Sequence, residues 1–213
     1  AIREDQRGYN VIATPGYPEL IANMIALNTD RNNTAFIVGD TPLRLEGTST
    51  SIQNWANNSA AALANVVDNA TAVGYIDSAT GEFETISVTE SVRDSMHEVK
   101  INPITFFAGA GIVNFGNLTK TSASSALDRI NVSRLAVYLR TQLDAIAKPF
   151  IFEPNDELTR NEIKGAVESF LLELVGQRGL FDFLVVCDST NNTPTRIDRN
   201  ELYVDIAIEP IKS

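Results

Sequence analysis

Cysteine, histidine and tryptophan each occur once in the 213 residues, and methionine only twice. A lone Cys187 can close no internal disulfide, so a disulfide framework is excluded and a reducing compartment is expected. A lone His97 leaves at most one imidazole for a metal site or a triad, and no H-E-x-x-H pair accompanies it. The chain also lacks a G-x-S-x-G elbow and a G-x-x-x-x-G-K-S/T phosphate loop, which removes the key parts of serine hydrolases and P-loop enzymes. Basic residues are scarce: 17 Lys and Arg stand against 27 Asp and Glu, a net charge of -10. A field of that sign repels phosphate backbones and anionic lipid, which argues against nucleic acid and membrane-surface partners. The longest apolar runs, such as Phe181 to Cys187, are too short to span a bilayer, and no basic then apolar leader opens the sequence. No cofactor, catalytic centre or metal site is expected. Because it opens on Ala1 and not on Met, the chain is expected to be a fragment of something longer.

What is present reads as α/β. The length suits one large domain or two small ones, able to hide roughly 70% of the surface of the unfolded chain. Tyr9 to Thr14 is β-prone and stops at Pro15 and Gly16; Pro18 then opens a helix carrying Leu20, Ile21, Met24, Ile25 and Leu27. Ala35 to Val38 is a second strand, closed by Gly39-Asp40-Thr41-Pro42. From Thr41 to Glu98, Ser, Thr, Asn and Ala dominate, and we expect a peripheral or inserted region. It should hold a helix somewhere in Ser51 to Val67 and strands at Val73 to Ile76 and Thr85 to Thr89, with a hairpin turn at Asp77 to Gly81. Val99 to Phe107 and Ile112 to Phe115 are strand-like around Ala108-Gly109-Ala110-Gly111. A helix follows from about Asn131 to Ala147, broken by Pro149 before a strand at Phe150 to Phe152. The next helix is expected to start at a Thr159 cap with Glu162 in capping-box spacing, with Ile163, Val167, Phe170, Leu171 and Leu174 as its stripe and Gly176 and Gly179 as its stop. Phe181 to Cys187 reads as a strand covered on both faces, whereas Leu202 to Ile208 alternates as a strand with one dry and one wet face. The expected whole is a mixed β-sheet packed with helices in a layered sandwich. Residues 1–40 and 99–213 form its core.

Little in the chain points to chemistry. The glycines at 109, 111 and 116 miss a dinucleotide fingerprint because Asn114 stands where the third glycine is needed. Cys187, within an apolar strand, suits a core side chain better than a nucleophile. The remaining catalytic candidates are Glu153, Asp156, Glu157 and Asp188, which at strand ends would serve as the acid and base of a glycosidase or hold a divalent ion. Equally, Pro154-Asn155-Asp156 reads as a turn leading into the next helix. The six Asn-x-Ser/Thr triplets, at Asn32, Asn57, Asn69, Asn117, Asn131 and Asn191, are what chance supplies in a chain this rich in Asn, Ser and Thr. Leu172 lies nearly opposite the stripe of its helix, so it is either exposed or covered by a neighbouring subunit.

Several short stretches in one order carry a resemblance. These are Gly111-Ile112-Val113 leading to Phe115-Gly116-Asn117-Leu118-Thr119, then Arg129-Ile130-Asn131-Val132-Ser133-Arg134-Leu135, then Phe152-Glu153-Pro154-Asn155-Asp156. The order continues through the helix from Glu162 to Leu174, the run Phe183 to Asp188, the loop Asn191-Asn192-Thr193-Pro194 and the strand into Pro210. From about Ile101 to Lys212 the chain resembles the core of contractile phage tail sheath proteins; Asn10 to Gly16 and Phe36 to Pro42 are similar to the family's early strands. The family's aromatic, proline-rich middle stretch is not recognisable, with Ser87-Val88-Thr89-Glu90-Ser91 in its place, and its further strand beyond Ile211 has no counterpart before Ser213.

The resemblance implies a non-enzymatic subunit that assembles with copies of itself around a tail tube, meets baseplate and tail terminator proteins, and rearranges on contraction. It implies a place in the virion tail after synthesis in the host cytoplasm, heterologous contacts between copies, and a fragment that is monomeric alone. Leu172, Leu202, Tyr203, Val204, Asp205 and Ile206 are the expected interface residues. Sheaths of R-type bacteriocins or type VI secretion are the nearest variant, and an acidic carbohydrate-active hydrolase using Glu153 and Asp188 is the alternative of another class.

Overall fold

The computed structural model describes residues 8–13, 15, 17–42, 45–58, 66–70, 73–85, 88–122 and 125–211. Two compact units divide at Val137 and Tyr138, within one helix.

In the first unit, β1 (Val11–Ala13) is followed by a 3-10 turn at Pro18–Leu20, where the fixed φ of proline suits a first turn, and then by α1 (Ile21–Asp30). Ile21 and Met24 on α1 bury against Ile37 of β2 (Phe36–Asp40), with Ile12 and Ile25 at the margin. Buried Asn28 fixes the return: its amide donates to the Ala35 carbonyl at 2.8 Å and accepts the Ala35 N–H at 3.0 Å. This β-turn-α-β unit is the one expected; Thr14 and Gly16 lie outside the described residues.

The stretch expected to be peripheral contributes β3 (Leu45–Glu46), α2 (Ser49–Asn58), β4 (Val66–Ala70), β5 (Val73–Ile76), β6 (Phe83–Thr85) and α3 (Glu90–Glu98). Strand β4, for which the sequence offers no clear period, is central in a five-stranded sheet of order β1-β2-β4-β7-β8, completed by β7 (Ile101–Phe107) and β8 (Gly111–Asn114). The first three pairings are parallel and the last antiparallel, so the sheet is mixed, as expected. Strands β3, β5 and β6 form a small second sheet. Its hairpin turns on Asp77, whose carboxylate accepts the Ala79 N–H at 3.0 Å, and on Gly81 at φ 71°.

Of the strand expected at Thr85 to Thr89, Thr85 is the last residue of β6, and Thr89 is the extended residue before α3. Helix α3 packs Val92 and Met96, with Val99 just beyond its end, against Leu45, Ile52, Trp55 and Ile101. Ile86 and Ser87 lie outside the described residues.

The helix α4 (Ile130–Ala147) contributes Ile130 and Val137 to a cluster with Phe36 and Val38. In the second unit, the strand expected at Phe150 to Phe152 is absent. A 3-10 turn (Lys148–Phe150) carries Pro149 in its first positions, and the Glu153 N–H returns to the Phe150 carbonyl at 3.2 Å. With the backbone bonding to itself, it has nothing to offer a partner strand. There follow α5 (Glu157–Gly176), β9 (Leu180–Val186), α6 (Pro194–Asp198) and β10 (Asp205–Pro210). β9 and β10 form an antiparallel two-stranded sheet packed on α5.

Among the described residues no helix is long and apolar enough to cross a membrane.

Candidate subunit interface

Helix α5 buries Ile163, Val167, Leu171 and Leu174 along one stripe, each worth about 1.5–3 kcal/mol if wholly withdrawn from water. Its cap differs from the expected one. Asp156, not Thr159, is the N-cap: its carboxylate accepts the Thr159 N–H at 2.8 Å, while Thr159 is buried inside the first turn. An acid three residues ahead satisfies an orphan donor and sits at the positive end of the helix, which a hydroxyl at 159 does not. That bond to the Thr159 N–H holds the Asp156 carboxyl below its ordinary range.

A group so depressed stabilises the fold fully above its unfolded pKa near 3.8 and loses that contribution as the pH falls through the folded value. Asp156→Ala should therefore be less stable than the parent at pH 6, with the gap narrowing towards pH 2.5. Urea unfolding followed by circular dichroism checks this; an equal gap at both pH values would show that the charge is irrelevant to the cap.

Strand β9 corrects the expectation of burial on both faces. It has one strand partner and one helix, so Phe181 is left 69% exposed and Leu184 is exposed too. Leu172 is likewise exposed, at 65%, opposite the buried stripe of α5. The expected strand from Leu202 starts later, at Asp205, because asparagines take the backbone of Tyr203 first. The Tyr203 N–H donates to Asn192 Oδ1 at 2.8 Å, and the Tyr203 carbonyl accepts from the amides of Asn192 at 2.9 Å and Asn191 at 3.2 Å. Leu202 and Val204 are half-buried, as is Ile206, whereas Tyr203 and Asp205 are exposed. The guanidinium of Arg196 stacks 3.8 Å from the centre of the Tyr203 ring.

Asn155 joins the same network. Its amide donates to Asn192 Oδ1 at 3.1 Å and to the Glu201 carbonyl at 2.8 Å, while its own two oxygens accept from Arg160. The Asn155 turn and the loop leading into β10 are thereby tied by side-chain amides. Between them lies a groove of about 860 Å³ with Phe150, Ile151, Leu202 and Val204 among its apolar lining and Glu153, Asp156 and Glu201 among its acids. Phe152, also lining it, is 98% exposed.

The candidate catalytic acids do not converge on that groove. Glu153 and Asp156 line it, but Asp188 does not; Asp188 accepts from the hydroxyl and N–H of Thr190, which lower its pKa and commit it to its own turn. Glu157 is the exposed first residue of α5. Among the described residues no group of three or more His, Cys, Asp or Glu side chains could hold a metal ion. Cys187 is buried, and burial raises its thiol pKa, away from the thiolate that a nucleophile requires. His97 is exposed on α3.

In the first unit a second apolar feature stands out. β7 and β8 form a hairpin whose tip uses Gly109 and Gly111 at φ 89° and 78°. The cross-strand pair Phe106 and Ile112 is 70% and 77% exposed. Phe107 and Phe115 contact each other at 5.1 Å, and Arg93 stands 5.5 Å over both rings.

Residues 122–213 match the family model of the phage tail sheath C-terminal domain. The chain is 41% identical over 128 residues to the tail sheath protein of Vibrio phage KVP40 and 38% identical over 128 residues to that of Enterobacteria phage T4. Each match covers 60% of this chain and 19% of the relative, so the chain spans about a fifth of the length of those curated relatives. Among solved structures, it is similar to a chain of the anti-feeding prophage baseplate, with a TM-score of 0.76, 18% identity, and coverage of 98% of this chain and 67% of that one. It is also similar to a chain of an extracellular contractile injection system, the PVC sheath complex in its contracted state, with a TM-score of 0.73, 17% identity, and coverage of 88% and 65%. At such identities the likeness is one of fold, and that fold is the expected mixed α/β. The resemblance to contractile tail sheaths, read from about Ile101 to Lys212, is borne out.

Proposed function

We propose that this chain is the core of a contractile phage tail sheath subunit, a structural module that assembles helically with copies of itself around a tail tube. The observation that carries this reading is the match of residues 122–213 to the tail sheath C-terminal domain, supported by 41% identity to a phage tail sheath protein. The reading extends to baseplate, tube and tail terminator proteins as partners, to a location in the virion tail, and to a role without catalysis. Contraction then draws on metastable packing between subunits and not on a bound nucleotide.

The two-stranded β9–β10 sheet suits such an assembly. Two strands alone are marginal in water, and among the described residues each has one edge without a strand partner, so an extended arm of a neighbouring copy can add to it by main-chain hydrogen bonds. Leu172 on α5, together with Leu202, Tyr203, Val204, Asp205 and Ile206 at the start of β10, forms the proposed contact surface. Heterologous contacts of this kind propagate and do not close on themselves, as a helical sheath requires.

Electron microscopy of the longer protein that carries this sequence tests the proposal. Tubes or stacked rings are expected. Discrete monomers under all assembly conditions, or a hydrolytic activity lost on Glu153→Gln with Asp188→Asn, would overturn it.

A further inference from the structure

The groove of the second unit sets an apolar wall against an unbalanced charge. Ile151, Phe152, Leu202 and Val204 give it apolar surface, Glu153, Asp156 and Glu201 give it carboxylates, and no lining residue is basic. Asp156 is committed to the cap of α5. The other two acids are not committed: among the described residues neither the Glu153 nor the Glu201 carboxylate has an ion pair or a hydrogen bond, although Glu201 is half-buried. Cations elsewhere in this unit are already engaged. Lys148 pairs with Asp144 at 3.0 Å, Arg160 donates to both oxygens of Asn155, and Arg196 donates to the Asn191 carbonyl and stacks on Tyr203. Arg199, just beyond α6, does not line the groove. A carboxylate partly withdrawn from water without a partner carries a cost that a cation from outside would offset.

The shape of the rim selects a macromolecule. Phe152 is 98% exposed and Ile151 is 65% exposed, on a turn held by Pro149 and Pro154 and by the Ile151 and Glu153 N–H groups, which bond back to Lys148 and Phe150. An aromatic ring standing clear of its own chain cannot close over a small molecule; only a surface that reaches out to it can bury it. A turn braced in this way also loses little entropy on binding. The charge narrows the source of that surface, since a chain of net charge -10 is a poor supplier of the cationic segment that this rim favours.

We infer that the groove receives a basic, apolar segment of a different protein, in which a large apolar side chain packs on Phe152 and Ile151 while flanking Lys or Arg side chains reach Glu153 and Glu201. The carboxylates set the sign of the partner and the placing of its cations, and the apolar wall supplies most of the affinity. This goes beyond the assembly of copies proposed above and does not depend on it.

Peptide selection tests it. The 213-residue chain is immobilised at low salt and used to sort a library of short random peptides displayed on yeast. The peptides recovered should carry Lys or Arg on both sides of a Leu, Phe or Trp, and high salt should weaken their binding about tenfold. Glu153→Gln with Glu201→Gln should weaken it by about tenfold as well, and Phe152→Ser by about thirtyfold, the loss that marks an anchor residue. Because Phe152 is exposed and the two carboxylates are unpartnered, these variants should keep the circular dichroism of the parent. Glu153→Lys with Glu201→Lys should reject the recovered peptides and favour acidic ones. Recovery of neutral or acidic peptides by the parent, equal binding to the Gln and Ser variants, or no peptide recovered at all would overturn the inference. So would self-association of the chain at high concentration that disappears with Phe152→Ser, because the groove would then belong to a second copy. Tubes in the electron microscope bear on the sheath reading alone, and the peptide result bears on the groove alone.

Discussion

Replacing Asn192 by alanine should destabilise the protein by about 3 kcal/mol, the loss expected when several hydrogen bonds of one buried side chain are removed together and the Tyr203 N–H loses its acceptor. Asn192 is buried, and one side chain serves the Tyr203 N–H and carbonyl, the Asp188 carbonyl at 3.2 Å, and the amides of Asn155 and Asn191. Alanine removes all of these at once. Asn192→Asp should be nearly as damaging, because it keeps the shape but loses both N–H donors and buries a charge. Urea unfolding gives the loss, and hydrogen exchange at the Tyr203 amide shows whether it arises in this loop. A loss below about 1 kcal/mol, typical of a surface substitution, would mean that the amide network is incidental.

Gly116→Ala should cost about 2–4 kcal/mol, the range for overpacking combined with a broken buried hydrogen bond. A Cβ at Gly116 would fall 2.7 Å from both Cβ and Cγ of Asn102 and closer still to its Oδ1. Asn102 cannot step aside cheaply. It is buried on β7, paired across to β4, and holds Leu118 by accepting its N–H at 3.0 Å and donating to its carbonyl at 2.8 Å. Gly165→Ala is the matched control. Nothing lies within 4 Å of an added Cβ there, and alanine within α5 should stabilise by about 0.5–1 kcal/mol. If both substitutions moved the unfolding midpoint in the same direction, the close approach at Gly116 would not govern stability.

These two positions also mark where the sequence was legible and where it was not. Periodicity located α4 and α5 to within a few residues, because their apolar stripes face buried clusters. The β7–β8 hairpin and the Asp77 turn were readable from glycine and aspartate placement. What escaped is the work of buried and half-buried asparagines. Asn28, Asn102, Asn155, Asn191 and Asn192 each substitute side-chain amides for backbone partners between segments 7 to 46 residues apart, and a polar residue in a polar-rich chain gives no periodic signal of that. The same bonds explain why β10 starts at Asp205 when alternation begins at Leu202. Strand β4 escaped for another reason: Val66–Ala70 holds only two large apolar residues, and its place at the sheet centre depends on the partners β2 and β7. The groove beside Asn155 could not be read at all, since its walls come from turns whose proximity depends on those amides.

The parallel pairing of β1, β2, β4 and β7 has a consequence for the time at which this protein comes into being. None of those three ladders is a local hairpin, so each must close a long intervening segment before any bond rewards it. On a ribosome, β4 would wait with its β7-side edge bare until Phe107 had emerged, whereas β8 can zip onto β7 moments afterwards. The nascent chain would thus pass through an interval in which bare strand edges of neighbouring nascent copies can find one another. The stretch that completes the sheet, from Ile101 to Asn114, is for that reason also the one that ends the danger.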